Sequence, residues 1–189
     1  MSLLELIAAA DERGLAVSAV ACLDRCLPQP PAGADPDPLH PLRAGCADPA
    51  LWPDRLARAR AALDAGADEE GAAPRIRELL AEAPADRAAP ELRAWAEACS
   101  LLALEAHLGP DAAPAADAEA ARRCRAGDRS GSGPLTAGEL RRQIRILELL
   151  TETADTPVAG TGLRQALDLS AEGRRVLRAA VSRRARGRE

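Results

Sequence analysis

The chain has 189 residues and a formal net charge of −4, with 25 basic and 29 acidic residues, two Trp, and neither Phe nor Tyr. Every basic residue is Arg, so a Walker A lysine, a Schiff-base lysine and a pyridoxal phosphate attachment are all excluded. No apolar run approaches the roughly 18–20 residues of a membrane span and no charged, then apolar, leader opens the chain, which predicts a cytoplasmic protein without a membrane partner.

Ser2-Leu3-Leu4-Glu5 is a capping box, and the helix it opens should stop at Gly14. Ser18 is the next candidate N-cap, with Val20, Leu23 and Leu27 on one face and Cys22 and Cys26 one turn apart beside them. Residues 28–53 carry eight prolines, which rules out a long helix and predicts an extended loop wrapped over the surface and pinned by Trp52. A helix from about Asp54 to Ala65 turns Leu56, Ala59 and Leu63 inward; a shorter one over about Pro74 to Ala83 presents Ile76, Leu79 and Leu80.

Residues 90–108 carry two apolar stripes, Leu92, Trp95, Cys99, Leu102 and Ala106 on one side and Ala94, Ala98, Leu101, Leu104 and Leu108 on the other. Such a helix needs neighbours on both sides, so it should be the centre of the bundle. Residues 111–127 read as a peripheral helix, and 127–134 as a flexible link. Thr136-Ala137-Gly138-Glu139 is a second capping box, ahead of a helix through Leu140, Ile144, Ile146, Leu147, Leu149 and Leu150. A break at 155–162, a short helix at 163–169 and a final helix capped by Ser170 complete the chain.

Ala accounts for 45 residues, β-branched and aromatic residues are sparse, and no stretch alternates with period two over a strand length. The expected fold is all-α: an irregular bundle of about seven helices around 90–108, with the Pro-rich loop 28–53 wrapped over it. Residues 1–170 should form one domain and 171–189 an Arg-rich helix and tail. The absent residues Lys, Asn, Phe and Tyr all have AT-rich codons, which points to a GC-rich bacterial genome of the actinobacterial kind and accounts for Arg without invoking phosphate recognition.

Five scattered cysteines suggest reduced thiols, small apolar packing residues in the main. Cys22, Cys26, His40 and Cys46 are the candidate metal set, although their spacing is not a zinc signature, and Cys22 with Cys26 is the candidate for a thiol- or metal-dependent enzyme. His107 sits where a ring would suit the end of a helix dipole, and Glu78 with Glu82 form a pair one turn apart, more simply read as a solvated face. No catalytic residue and no cofactor emerge from these patterns.

The basic residues offer more. Arg141, Arg142 and Arg145 stand toward the N-terminus of their helix with Glu148 and Glu152 toward its C-terminus, against the helix dipole, and Arg55, Arg58 and Arg60 repeat the arrangement before Asp64. Acidic partners should compensate, either at Asp68-Glu69-Glu70 or on another chain. Residues 171–189 hold seven Arg and two Glu, a net of +5 that leaves −9 for the preceding 170 residues. Arg174, Arg175, Arg178, Arg183 and Arg184 are therefore candidates for binding a partner or an anion. A helix-turn-helix over 163–177 is disfavoured, because Arg174 would stand where the second helix buries an apolar residue.

These patterns point to a non-enzymatic interaction or regulatory protein, with a protein partner or a second copy of itself docked on helix faces. Nucleic-acid association through the Arg-rich end is the alternative, and a metal or thiol enzyme the third.

Overall fold

The computed structural model describes residues 1–27, 37–65, 72–88, 90–111, 118–128, 130, 132–153 and 159–186. Among these the fold is all-α. The helices are α1 (Leu3–Ala9), α2 (Glu12–Cys26), α3 (His40–Gly45), α4 (Trp52–Ala65), α5 (Ala73–Glu82), α6 (Glu91–Leu108), α7 (Ala118–Arg125), α8 (Pro134–Glu152) and α9 (Ala159–Arg186). Single 3₁₀ turns at Pro49–Leu51 and Gly109–Asp111 join α3 to α4 and follow α6.

The first capping box is present: the Ser2 amide donates to Glu5 Oε2 at 2.7 Å and the Glu5 amide to Ser2 Oγ at 3.3 Å. The first break comes earlier than Gly14. Asp11 accepts from the Gly14 amide at 2.6 Å and caps α2, so Gly14 lies in the first turn of α2, and Ser18, expected as a cap, lies inside it. An Asp acceptor satisfies an orphan amide directly, whereas Gly merely permits a stop.

The Pro-rich segment holds α3, an addition to the expected helices. Pro41 stands in the first turn, where a missing N–H costs nothing, so prolines that exclude a long helix still allow a short one. Trp52 is completely buried; its Nε1 donates to the Pro84 carbonyl at 2.9 Å and its ring meets Trp95 edge to face at a centroid distance of 5.9 Å. Trp52 therefore anchors the C-terminal end of this segment; residues 28–36 lie outside the described residues.

α6 packs against α1, α2, α5, α7 and α8; the stripe from Leu92 to Leu102 is buried, but of the second expected stripe Ala94 is exposed and Ala98 and Leu101 are half-buried, and Ala96, Ser100, Ala103 and His107 are buried instead. α2 is its main partner and the more enclosed of the two, buried from Gly14 to Cys26, and it also packs on α8 and α9. The core joins these helices through Leu15, Val20, Leu23, Trp95, Leu104, Leu140 and Ile146. α7 ends in a Schellman-type turn: Gly127 takes φ +101°, its amide bonds the Cys124 carbonyl at 3.1 Å, and the Asp128 amide bonds that of Arg123 at 3.0 Å.

Two expected caps do not form. α8 begins at Pro134 with Gly133 as its N-cap and no side-chain cap, so the Thr136–Glu139 box does not form; both residues are fully buried. The helical pieces expected at 163–169 and from 170 onward are one helix, α9, with Ser170 buried in its interior. That continuity also removes the turn that a helix-turn-helix over 163–177 would need. Among the described residues no helix is long and apolar enough to cross a membrane.

Candidate functional site

The densest polar chemistry of the molecule lies where α2, α6, α8 and α9 converge. The buried stripe of α8 runs through Thr136, Glu139, Leu140, Gln143, Ile146, Leu147 and Leu150, so helical periodicity places a carboxylate and an amide among aliphatic side chains. α2 delivers Asp24 and Arg25 at its last turn, α6 delivers Ser100 and His107, and α9 delivers Ser170 and Arg174.

Glu139 is the hub. It accepts from Arg25 Nε, 3.0 Å from both carboxylate oxygens, from Arg25 Nη2 at 2.6 Å, from Arg142 Nη1 at 3.0 Å and from Gln143 Nε2 at 2.9 Å. Gln143 also donates to the Ser100 carbonyl at 3.2 Å and accepts the Ser100 hydroxyl at 2.6 Å. A second cluster adjoins. Ser170 Oγ lies 3.0 Å from both the Ala21 carbonyl and Asp24 Oδ2, Asp24 is paired with Arg43, and Asp37 accepts from Arg43 at 2.9 Å and from Arg174 at 3.2 Å.

Burial alone would push the Glu139 carboxyl up. The charge of Arg25, with hydrogen bonds from Arg25 and Gln143, outweighs it and holds the group below the usual carboxylate range. The His107 pKa is also lowered, but by burial, against the pull of Glu139, and the ring is neutral at pH 7. Its Nδ1 lies 2.7 Å from the Ala103 carbonyl and must carry the proton, which leaves Nε2 without a hydrogen bond, 3.5 Å from Glu139 Oε2. Close approach is also written into α9: a Cβ on Gly173 would lie 2.5 Å from Arg25 Cδ and 2.7 Å from Arg142 Nε.

Arg25, Glu139, Gln143, Ser100, His107 and Ser170 are each at most 2% exposed, so a substrate-sized molecule does not reach the carboxylate. The arrangement fixes helix register and orientation; it presents no open face for turnover.

Comparison with protein families, curated proteins and solved structures finds no match.

The expected metal set does not assemble. Cys22, Cys26 and Cys46 are buried and His40 is exposed, and among the described residues no group of three or more His, Cys, Asp or Glu is arranged to hold a metal ion. All five cysteines are buried. Burial pushes the Cys22 and Cys46 thiols up to about 12 and raises Cys26 well above its ordinary value, the opposite of the activated thiolate that nucleophilic chemistry needs. Glu78 and Glu82 stand on an exposed face, Glu78 with Arg75 at 2.6 Å.

The arginines divide. Arg142 joins the buried hub, Arg145 pairs with Glu152 at 3.2 Å on the surface, and Arg141 is exposed. Asp68-Glu69-Glu70 lie outside the described residues. Arg60 uses carbonyls: it donates to Leu80 O at 2.7 Å, Ala81 O at 3.1 Å and Ala83 O at 2.8 Å, capping the end of α5. On α9, Arg174 turns inward to Asp24 and Asp37 and Arg184 bonds the Gly109 carbonyl, whereas Arg175 and Arg183 are exposed and Arg178 is half-buried.

Asp24, Arg25, Ser100 and Gln143 were not singled out in the sequence, and Glu139 and Ser170 were read there only as capping residues; together they form the hub. A signal existed in two of them, because Glu139 and Gln143 fall on the apolar stripe of α8, where a solvated residue has no place.

Proposed function

We propose that the protein is a non-enzymatic, cytoplasmic interaction module that docks an acidic protein surface, that of a second copy included, through the exposed end of α9. The observation that carries the reading is the contrast along this helix. Ser170 locks it to α2 and Arg174 pairs with Asp24 and Asp37, while residues 181–186 are exposed, with only Arg184 among them seen to bond back, to the Gly109 carbonyl, and with Val181 51% exposed and Arg183 and Arg186 on the same stretch. A rigid helix that carries cations and an apolar side chain into solvent supports docking with little ordering cost. The acidic remainder of the chain supplies a surface of the opposite sign.

Light scattering in low and high salt tests the reading, on the wild type and on an Arg175→Gln/Arg183→Gln/Arg186→Gln variant. An assembly larger than one chain, lost in high salt and in the variant, is expected. A monomer in every condition rules out self-association, and a dimer indifferent to both changes moves the interface away from α9.

The same exposed arginines favour a second reading, association with nucleic acid. That reading requires affinity for a labelled duplex to fall steeply with salt and to vanish in the triple variant.

A further inference from the structure

A cleft of about 650 Å³ opens where the α1–α2 corner, the loop after α3 and the turn into α6 meet. Three arginines line it, Arg13, Arg87 and Arg93, over an apolar floor that includes Leu15 and Leu92.

Arg87 is the informative one. It is 6% exposed, its Nη1 donates to the Cys46 carbonyl at 3.3 Å, its guanidinium lies 5.9 Å over the Trp52 ring, and its Nε has no acceptor. No carboxylate among the described residues pairs with it. The other two buried cations each face one: Arg25 meets Glu139, and Arg125 has Glu97 at 3.6 Å. A guanidinium taken from water without an anion is costly, and the aromatic face offsets only part of that cost.

A second feature faces the same cleft. α6, 18 residues long, has Pro90 of the cleft wall as its N-cap and no side-chain hydrogen bond to its first amides, and Glu91 in its first turn offsets part of the positive end of its dipole. The neighbouring start of α2 differs, because Asp11 already accepts from the Gly14 amide. Asp11 and Glu12 also line the cleft, and the three guanidiniums outnumber them.

We propose that this cleft binds the phosphate group of a small molecule or free phosphate. Arg87 and Arg93 would supply the charged donors and the start of α6 its amides, with the body of an ester resting on Leu15 and Leu92.

Calorimetric titration of the full chain with inorganic phosphate and with glycerol 3-phosphate, at constant ionic strength against sodium chloride, tests this. Saturable binding of at least one is expected; tighter binding of the ester marks a phosphorylated small molecule, and equal binding marks free phosphate. Arg93→Gln, at an exposed position, should weaken binding about tenfold or more, and Glu12→Gln should strengthen it by removing a like charge. Arg87→Gln should abolish it, with the thermal melt recorded to separate lost binding from lost fold. No saturable heat with either probe, or binding that Arg93→Gln and Glu12→Gln leave unchanged, overturns the proposal.

Discussion

Arginine meets two kinds of partner in this protein, and the partners divide the molecule. Between α2, α8 and α9, Arg25, Arg142 and Arg174 meet carboxylates in the interior. Beside α4 and α5, Arg60 and Arg77 meet backbone carbonyls at helix ends, Arg77 donating to Leu63 O at 3.2 Å. A carbonyl is a partial charge that remains tolerable when its partner is lost. A buried carboxylate is a full charge that does not, so the first region should fail sharply and the second yield gradually.

The largest expected effect is at the hub. Glu139→Gln leaves Arg25 buried without an anion and should cost about 3–5 kcal/mol in urea denaturation. A loss below about 1 kcal/mol would mean that the two regions do not differ in kind. Gly173→Ala tests the same region sterically: the new Cβ meets Arg25 Cδ, which is clamped through its guanidinium, and about 1–3 kcal/mol should be lost. On the carbonyl side, Arg60→Ala removes the cap on α5 and should cost about 1–2 kcal/mol, without the loss of cooperativity expected at the hub.

Acid sharpens the contrast through His107 and Glu139. Both folded pKa values lie below the ordinary ones, so the unfolded chain takes up protons first as pH falls. The His107 contribution is complete above about pH 6.5 and lost as pH falls below it; that of Glu139 is complete above about pH 4.3 and lost below that. His107→Asn should therefore flatten the fall in stability between about pH 6.5 and 5, at most ~1.4 kcal/mol per pH unit, and leave the steeper loss below about pH 4 intact. The smallest effect belongs to the surface. Arg145→Gln breaks an exposed pair with Glu152 and should change stability by less than about 1 kcal/mol, whereas Arg142→Gln on the same helix should cost more.

Legibility in the sequence followed the range of the interaction. The Ser2 capping box, the buried stripes of α4 and α5 and the Leu92–Leu102 stripe of α6 rest on residues close together in the chain or on simple periodicity, and each is present, whereas Trp52 is held from distant positions by Pro84 and Trp95. The Gly14 stop failed because Asp11 offered a stronger local signal three residues earlier. The candidate metal set failed for a different reason: Cys22 and Cys26 share a helix as expected, but burial, not coordination, is what that helix face provides. Arg174 was read as a candidate for binding a partner or an anion and as an awkward residue in a motif that does not form; it turns inward instead, to Asp24 and Asp37, partners that lie far away in sequence.

By itself the sequence determined that the long regular elements among the described residues are helices, because Ala and Leu with apolar steps of three and four leave no other regular structure able to bury them. It could not determine what Glu139 does. Three residues after Thr136, a Glu satisfies the capping-box pattern as well as any. Only the packing of α8 on α2 and α9 removed that carboxylate from water and set Arg25 against it across 114 positions of sequence, a pairing that no local spacing encodes.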